Sequence, residues 1–418
     1  MKVSKITRLL PFLMLAALLL GGILGKVAAS YPEELSGFVA VSGWVGAAFL
    51  NILKMVIGPL ILSSIITGVA GMGSASNLGR IGGKTIGLFL GTTVVAIVLG
   101  LFLVNIIKPG IGVNLLADPS ANEVVVETLV AEQQNVGEIL MDAIPSNITK
   151  AFVEDNMLQI IVFAILFGLF TTKIGHEQSK KILDFFSAVF HVMMKLTSAI
   201  IKLTPIGILG ITVEQVARQG DVGALVSSLL LFLVTVFAGI LIHFFVIIPL
   251  LLKSFGVKPY RHMKNMSLPL LTAFSTASSS ATLPLSMDAV ENKSGISNKI
   301  TSFVLPLGAT INMNGTALFE CVSVIFLAQA YGVELTMLQQ IIVVLTSLLA
   351  AVGAAGIPMA GFVMMTVILS AVGLPLDGIG LIMSVNFLPD MARTATNVWG
   401  DCAVAAIVAK TEGEKLNV

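Results

Sequence analysis

Charge is the scarcest commodity in this chain. Only 11% of its 418 residues are charged, against 56% hydrophobic, and the mean hydropathy is +0.98. A soluble domain of that balance would expose large apolar patches, so a soluble protein is excluded and an integral membrane protein remains. The net charge of +1 supplies no basic field, which excludes nucleic acid as a partner. Cysteine is nearly absent: Cys321 and Cys402 both lie inside apolar segments, so neither a disulfide framework nor a paired-cysteine metal site is expected, and both read as packing residues. A cleavage signal is also missing. Residues 1–27 have a basic start and an apolar run, but Lys26 follows Gly25 where small-residue cleavage would be needed, so the first helix is expected to be retained.

What is present is a succession of apolar runs. At about 20 residues per crossing, spans are expected near 9–27, 41–70, 84–107, 156–172, 185–212 and 223–252. Alternate connections are basic (Lys2, Lys5 and Arg8; Arg80 and Lys84; Lys173, Lys180 and Lys181; Lys253, Lys258, Arg261 and Lys264), which marks their side as cytoplasmic. The others carry Glu33 and Glu34, the acidic run from Asp118 to Glu138, then Glu214 and Asp221, and read as external. The polar, turn-rich 108–135 segment is expected to be an external loop.

Beyond Tyr260 the apolar runs are broken by small and hydroxyl residues. TAFSTASSSATLP, from Thr272 to Pro284, and TSLLAAVGAAGIP, from Thr346 to Pro358, share one Thr-to-Pro spacing and read as a weak internal repeat. Broken backbone at membrane depth is tolerated only when it lines a cavity or is buried in protein, so each reads as a re-entrant hairpin, and a pair of them points to a transporter's binding site. Between them, Asn312, Asn314 and Gly315 are expected to unwind a helix, freeing carbonyls suited to Na⁺ and N–H groups suited to a carboxylate. A final span near 378–409 carries Asp390, Arg393, Thr394, Asn397 and Asp401 at i, i+3, i+4, i+7 and i+11. That spacing puts them within an arc of roughly 100° on one helix. Ionisable groups at membrane depth cost on the order of 2.5 kcal/mol or more, so this stripe is the prime functional candidate. With about eight full crossings and two hairpins, both termini fall on the cytoplasmic side.

These residues resemble the dicarboxylate/amino acid:cation symporters, a family of glutamate and aspartate transporters that includes the excitatory amino acid transporters. The likeness runs over nearly the whole chain and is carried by Ser278-Ser279-Ser280 with Thr282-Leu-Pro284, NMNGT at 312–316, the second hairpin from Gly353 to Gly361, and DMARTATNVWGD at 390–401. It implies an all-α integral membrane protein of eight transmembrane helices and two re-entrant hairpins, with inverted repeats and an elevator mechanism in a homotrimer. Residues 1–252 would be mostly scaffold, their third and sixth helices joining a transport domain over 258–412. That domain would comprise hairpin 1 (258–292), helix 7 (296–330), hairpin 2 (336–370) and helix 8 (376–410).

By position, the resemblance implies that Asp390 and Asn397 hold a substrate amino group, while Ser278, Ser279, Ile357 and Gly361 enclose its α-carboxylate and Thr316 and Thr394 line the pocket. Arg393 would pair with an acidic side chain, which its planar donor fork suits. One sodium site would use Gly308, Asn312, Asn397 and Asp401, another Thr310 with backbone near Ala351 and Ala354. Glu320 matches a proton carrier. No cofactor is implied beyond the coupling ions Na⁺ and H⁺. Several positions depart from the family pattern. Asn314 replaces an aspartate and Phe89 an aromatic hydroxyl near Thr92 and Thr93, both weakening a third sodium site; Asn386 removes another negative charge; Ala277 and Met391 leave the site without an additional cation.

The expectation is a symporter importing acidic amino acids across the inner (plasma) membrane, coupled to protons, sodium or both, and not an enzyme. The alternatives are a neutral amino acid or C4-dicarboxylate carrier, a substrate-gated anion channel, and an intramembrane hydrolase using a serine of 278–280. The dicarboxylate is disfavoured because Asp390 supplies a counter-charge for an amino group, and the hydrolase has no base or G-x-S-x-G elbow. The bland readings are an Arg393 ion pair with Asp390 or Asp401, and Thr282 and Thr394 bonding their own helix carbonyls. Lys54, Lys195, Lys202, His191 and His243 are assigned no chemistry.

Overall fold

Every regular element among the described residues is a helix, as apolar runs without period-2 alternation require in lipid, where a helix satisfies its own backbone. The computed structural model describes residues 5–73, 79–113, 144–154, 157–219, 222–353, 360–376 and 378–418. From residue 114 onward the expected 108–135 loop, with its acidic run, lies outside them. Among the described residues four helical stretches are long and apolar enough to cross a membrane: Phe12–Ser30, Arg80–Ile107, Gly223–Ser254 and Asn298–Ala330.

The first helices are α1 (Lys5–Ser30), α2 (Ser36–Gly73), α3 (Gly79–Ile107), the single turn α4 (Ile148–Val153) and α5 (Met157–Thr171). The one span expected at 185–212 is two helices instead, α6 (His176–Ile201) and α7 (Thr204–Gln219). Pro205 explains the break, because a residue without an N–H suits the first turn of a new helix and not the continuation of an old one. Small residues let α1 press against α7: a Cβ on Gly21 would stand 2.8 Å from Thr212 Cβ, and one on Gly25 2.7 Å from Val216 Cβ. Without a hydrophobic drive between helices in lipid, such close backbone approach is what joins them.

The helix α8 (Val222–Ile242) passes through a π turn, His243–Ile247, into α9 (Ile248–Ser254). The first expected hairpin is present as a helical pair: after α10 (Pro259–Asn265), α11 (Ser267–Thr276) and α12 (Ser279–Asp288) lie side by side. Its tip turns at Ala277, held left-handed at φ 48°, and Ser278 caps α12 by accepting from Ala281 N at 3.3 Å. A π turn, Ala289–Lys293, closes it. The predicted unwinding is also found. The helix α13 (Asn298–Ile311) stops, Asn312 and Met313 take non-helical angles, and α14 (Asn314–Ala330) begins. The helices α15 (Met337–Gly353) and α16 (Ala360–Ala371) pair as the second hairpin, whose tip at 354–359 lies outside the described residues, as do Ala354 and Ile357. The chain ends with α17 (Ile379–Val385) and α18 (Phe387–Thr411).

Two apolar clusters hold these elements. One gathers α2, α5, α7, α8 and most of α14 to α17. The other joins the start of α3 to α9, the first hairpin, α13 and the second half of α18.

Candidate functional site

The polar stripe sits on one helix, and that helix is enclosed. Asp390, Arg393, Thr394, Asn397 and Asp401 of α18 are all buried, Arg393 to 1% exposure. Two charges taken that far from water need partners, and Asp390 and Arg393 find each other one turn apart. Arg393 Nε and Nη2 both donate to Asp390 Oδ1, at 2.9 and 2.7 Å. The ion pair set beside the ligand role is therefore present, but it spends only one edge of the fork. Arg393 Nη1 is buried with no hydrogen-bond partner among the described residues. It points at the second hairpin, where a Cβ on Gly361 would lie 2.8 Å from Nη1 and 3.1 Å from Thr316 Cγ2.

The start of α14 forms the opposite wall. Asn397 Oδ1 accepts from Gly315 N at 2.8 Å, while its Nδ2 donates to Thr316 Oγ1 at 3.1 Å and to Met313 Sδ at 3.2 Å. The approach is as close as glycine permits, for a Cβ on Gly315 would stand 2.6 Å from Arg393 O. The Phe319 ring lies under the guanidinium, 4.6 Å from Cζ to its centroid, a cation–π contact that holds the fork in place. One turn beyond Thr316, Glu320 is fully buried and neither carboxylate oxygen has a hydrogen-bond partner among the described residues.

The second polar cluster surrounds the helix break. Asn312 Nδ2 donates to Asp401 Oδ1 at 2.8 Å, and Asn312 Oδ1 is buried without a partner among the described residues. A Cβ on Gly308 would meet Asp401 Oδ1 at 2.5 Å and Phe89 Cζ at 3.0 Å. A buried carboxylate, an unsatisfied amide oxygen and the carbonyls of a stopped helix are hard oxygen donors of the kind a sodium ion takes. Beside them, Thr93 Oγ1 donates to Asn314 Oδ1 at 2.7 Å, leaving Asn314 Nδ2 buried and without a partner among the described residues.

Gly308, Asn312, Thr316, Gly361, Asp390, Arg393, Asn397 and Asp401 thus fall into these two adjoining clusters. The other expected residues make different contacts. Ser279 is buried at the start of α12, which packs on α18, and Ser278 serves as its cap. The hydroxyls of Thr394 and Thr282 bond the carbonyls of Asp390 and Ser278 at 2.7 and 2.9 Å, the helix-internal fate set beside their site role. Thr310 is exposed, its hydroxyl donating to Leu307 O at 2.8 Å, and Ala351 is buried on α15. Phe319, Met313 and Gly315 were not foreseen as site residues. The last two lie next to Asn312 and Asn314, so proximity to the predicted unwinding was a signal, whereas nothing in an apolar run distinguishes Phe319.

The comparisons agree in kind. The profile of the sodium:dicarboxylate symporter family matches residues 10–411. The "Proton/sodium-glutamate symport protein" of Bacillus caldotenax is 35% identical over 399 residues, covering 95% of this chain and 93% of that protein. The "Proton/glutamate-aspartate symporter" of Escherichia coli (strain K12) is 33% identical over 404 residues, covering 96% and 92%. "Excitatory amino acid transporter 3" of Mus musculus is 35% identical over 447 residues, covering 96% and 85%.

Proposed function

The chain belongs to the sodium:dicarboxylate symporter family, and on that premise we propose that it is a secondary active symporter importing glutamate or aspartate, driven by protons, sodium ions or both. The observation that carries the acidic substrate is the buried, unsatisfied Nη1 of Arg393 facing Gly361. A side-chain carboxylate would take Nη1 and Nη2 together, while the substrate ammonium would take Asp390. One buried ion pair is then exchanged for two, and the α-carboxylate is left to hydrogen-bond donors of the hairpins. A substrate without the second carboxylate would leave the outer edge of the fork bare, which disfavours neutral amino acids.

In this reading Asn397 shares the amino group with Asp390, Thr316 and Thr394 line the pocket, and Ser278, Ser279, Ile357 and Gly361 close on the α-carboxylate. Gly308, Asn312, Asn397 and Asp401 take one sodium ion; Thr310 with backbone near Ala351 and Ala354 takes another. Glu320 carries the proton. Residues 258–412 with the third and sixth spans move as the transport domain of an elevator in a homotrimer, within the inner membrane and with both termini cytoplasmic. The basic connections support that orientation, and the pairing of broken helices supports the gates.

The decisive experiment is uptake of labelled aspartate and glutamate into proteoliposomes under a sodium gradient or a proton gradient imposed separately. Accumulation under the proton gradient in sodium-free buffer is the expected result for Glu320-linked coupling. A strict sodium requirement would transfer the coupling to the sites around Asp401 and Thr310, and no accumulation under either gradient would overturn the acidic substrate.

A further inference from the structure

At the foot of the first hairpin is a cavity of about 440 Å³. Its walls are α10, the π turn Ala289–Lys293 and the last residues of the chain, and three cations line it: Lys258, Arg261 and Lys293. The carboxylates that could quench them are engaged elsewhere. Glu412 binds Arg80 at 2.5 Å and Lys84 at 2.7 Å. Glu414 accepts from Ser297 N at 2.9 Å and from its hydroxyl at 2.5 Å, and Glu291 accepts from Asn298 at 2.8 Å. Among the described residues no Asp or Glu side chain lies within ion-pair distance of the three cations.

The walls are fixed rather than improvised. Asn265 Nδ2 donates to Lys293 O at 3.0 Å and to Ser294 Oγ at 3.2 Å, and Asn417 N donates to Ser294 O at 2.9 Å. Three exposed like charges line one hole, and a multivalent oxyanion offers each an acceptor. Beside the cavity an apolar and aromatic flank is exposed, with Tyr260 at 63%, Leu268 at 52% and Leu271 at 68%. Tyrosine beside aliphatic side chains, next to a basic cluster, is the pattern of a membrane interface on the cytoplasmic side.

We propose that this cavity binds a phosphate-bearing anion, and that its occupant is the headgroup of an anionic phospholipid of the cytoplasmic leaflet. The assignment does not depend on which amino acid the protein carries. It is tested on the full chain in phosphatidylcholine nanodiscs with titrated phosphatidylglycerol, counting retained anionic lipid by native mass spectrometry. A second arm adds inorganic phosphate to lipid-neutral nanodiscs. The triple variant Lys258→Gln/Arg261→Gln/Lys293→Gln is expected to weaken phosphatidylglycerol retention roughly a hundredfold. The equally neutralising Lys173→Gln/Lys180→Gln/Lys181→Gln, and Lys258→Arg/Lys293→Arg, are expected to keep it, which separates lost charge from lost fold. Retention unchanged in the first triple variant would overturn the site. Inorganic phosphate binding as tightly as the lipid and displacing it would overturn the lipid as occupant.

Discussion

The first helices and the last third of the chain are both apolar, yet protein covers them very differently. Of an 18-residue apolar window within Phe12–Ser30, 29% is buried within the protein, and within Arg80–Ile107 33%; for such a window within Asn298–Ala330 the figure is 100%. The enclosed stretch is the less hydropathic one, at 1.5 against 2.1 and 2.5. Large side chains such as Leu19, Ile23, Trp44, Phe185 and Val192 are exposed on α1, α2 and α6, as suits helices facing lipid tails. Polar atoms and interrupted backbone collect where neighbouring helices cover them, because uncompensated N–H and C=O groups in hydrocarbon cost several kcal/mol each. Enclosure, rather than hydropathy, marks the working part of this protein.

The sharpest way to break that contrast is Arg393→Ala. It leaves Asp390 as a buried unpaired charge and removes the carboxylate's partner, so kcat/KM for glutamate uptake should fall by a hundredfold or more, about 3 kcal/mol. Phe185→Ala, on an exposed face of α6, should leave uptake within about twofold. Equal losses in the two variants would abolish the distinction. Next in size, Glu320→Gln should remove uptake driven by a proton gradient in sodium-free buffer while substrate exchange persists. Retention of proton-driven accumulation would show that Glu320 is not the carrier.

A smaller effect separates two glycines. Gly315→Ala forces a Cβ against the Arg393 backbone and should cost about 1–3 kcal/mol, read as a lower unfolding temperature in detergent. Gly22→Ala, with nothing within 4 Å, should be neutral or slightly stabilising. The smallest effect lies at the exposed end of α18, where hydrogen bonds and charge from Arg80 and Lys84 hold the Glu412 carboxyl down to about 2, from an ordinary 4.5. Because the folded value is depressed, this latch contributes fully above pH 4.5 and is lost as pH falls toward 2. The difference in unfolding temperature between the native chain and Glu412→Gln should therefore be small at neutral pH and vanish across that interval. A difference that grew on acidification would contradict the latch.

Much of the site was legible because it is local. Five polar residues at helical spacing can share only one face, so burial of that face on α18 followed from the period alone. Asn312, with Asn314 and Gly315, disfavours helix strongly enough that the break at 312–313 could be foreseen. The split at Lys202 and Leu203 was missed because hydropathy carries straight through Pro205, and length was taken for continuity. Phe319 was invisible for a different reason: its role depends on Arg393, 74 residues away in the chain.

The sequence by itself determined that this is a helical membrane protein, which helices break and which side chains form a polar face, since each follows from short-range periodicity and from the cost of charge in lipid. Only the tertiary structure decided how those charges are spent. It turned Nε and Nη2 of Arg393 toward Asp390 and left Nη1 facing Gly361, and it gave Thr93 to Asn314 and Asp401 to Asn312. Apart from Arg393 with Asp390, such pairings join residues distant in the chain, and what selects among them is the close packing of helices that a linear pattern does not encode.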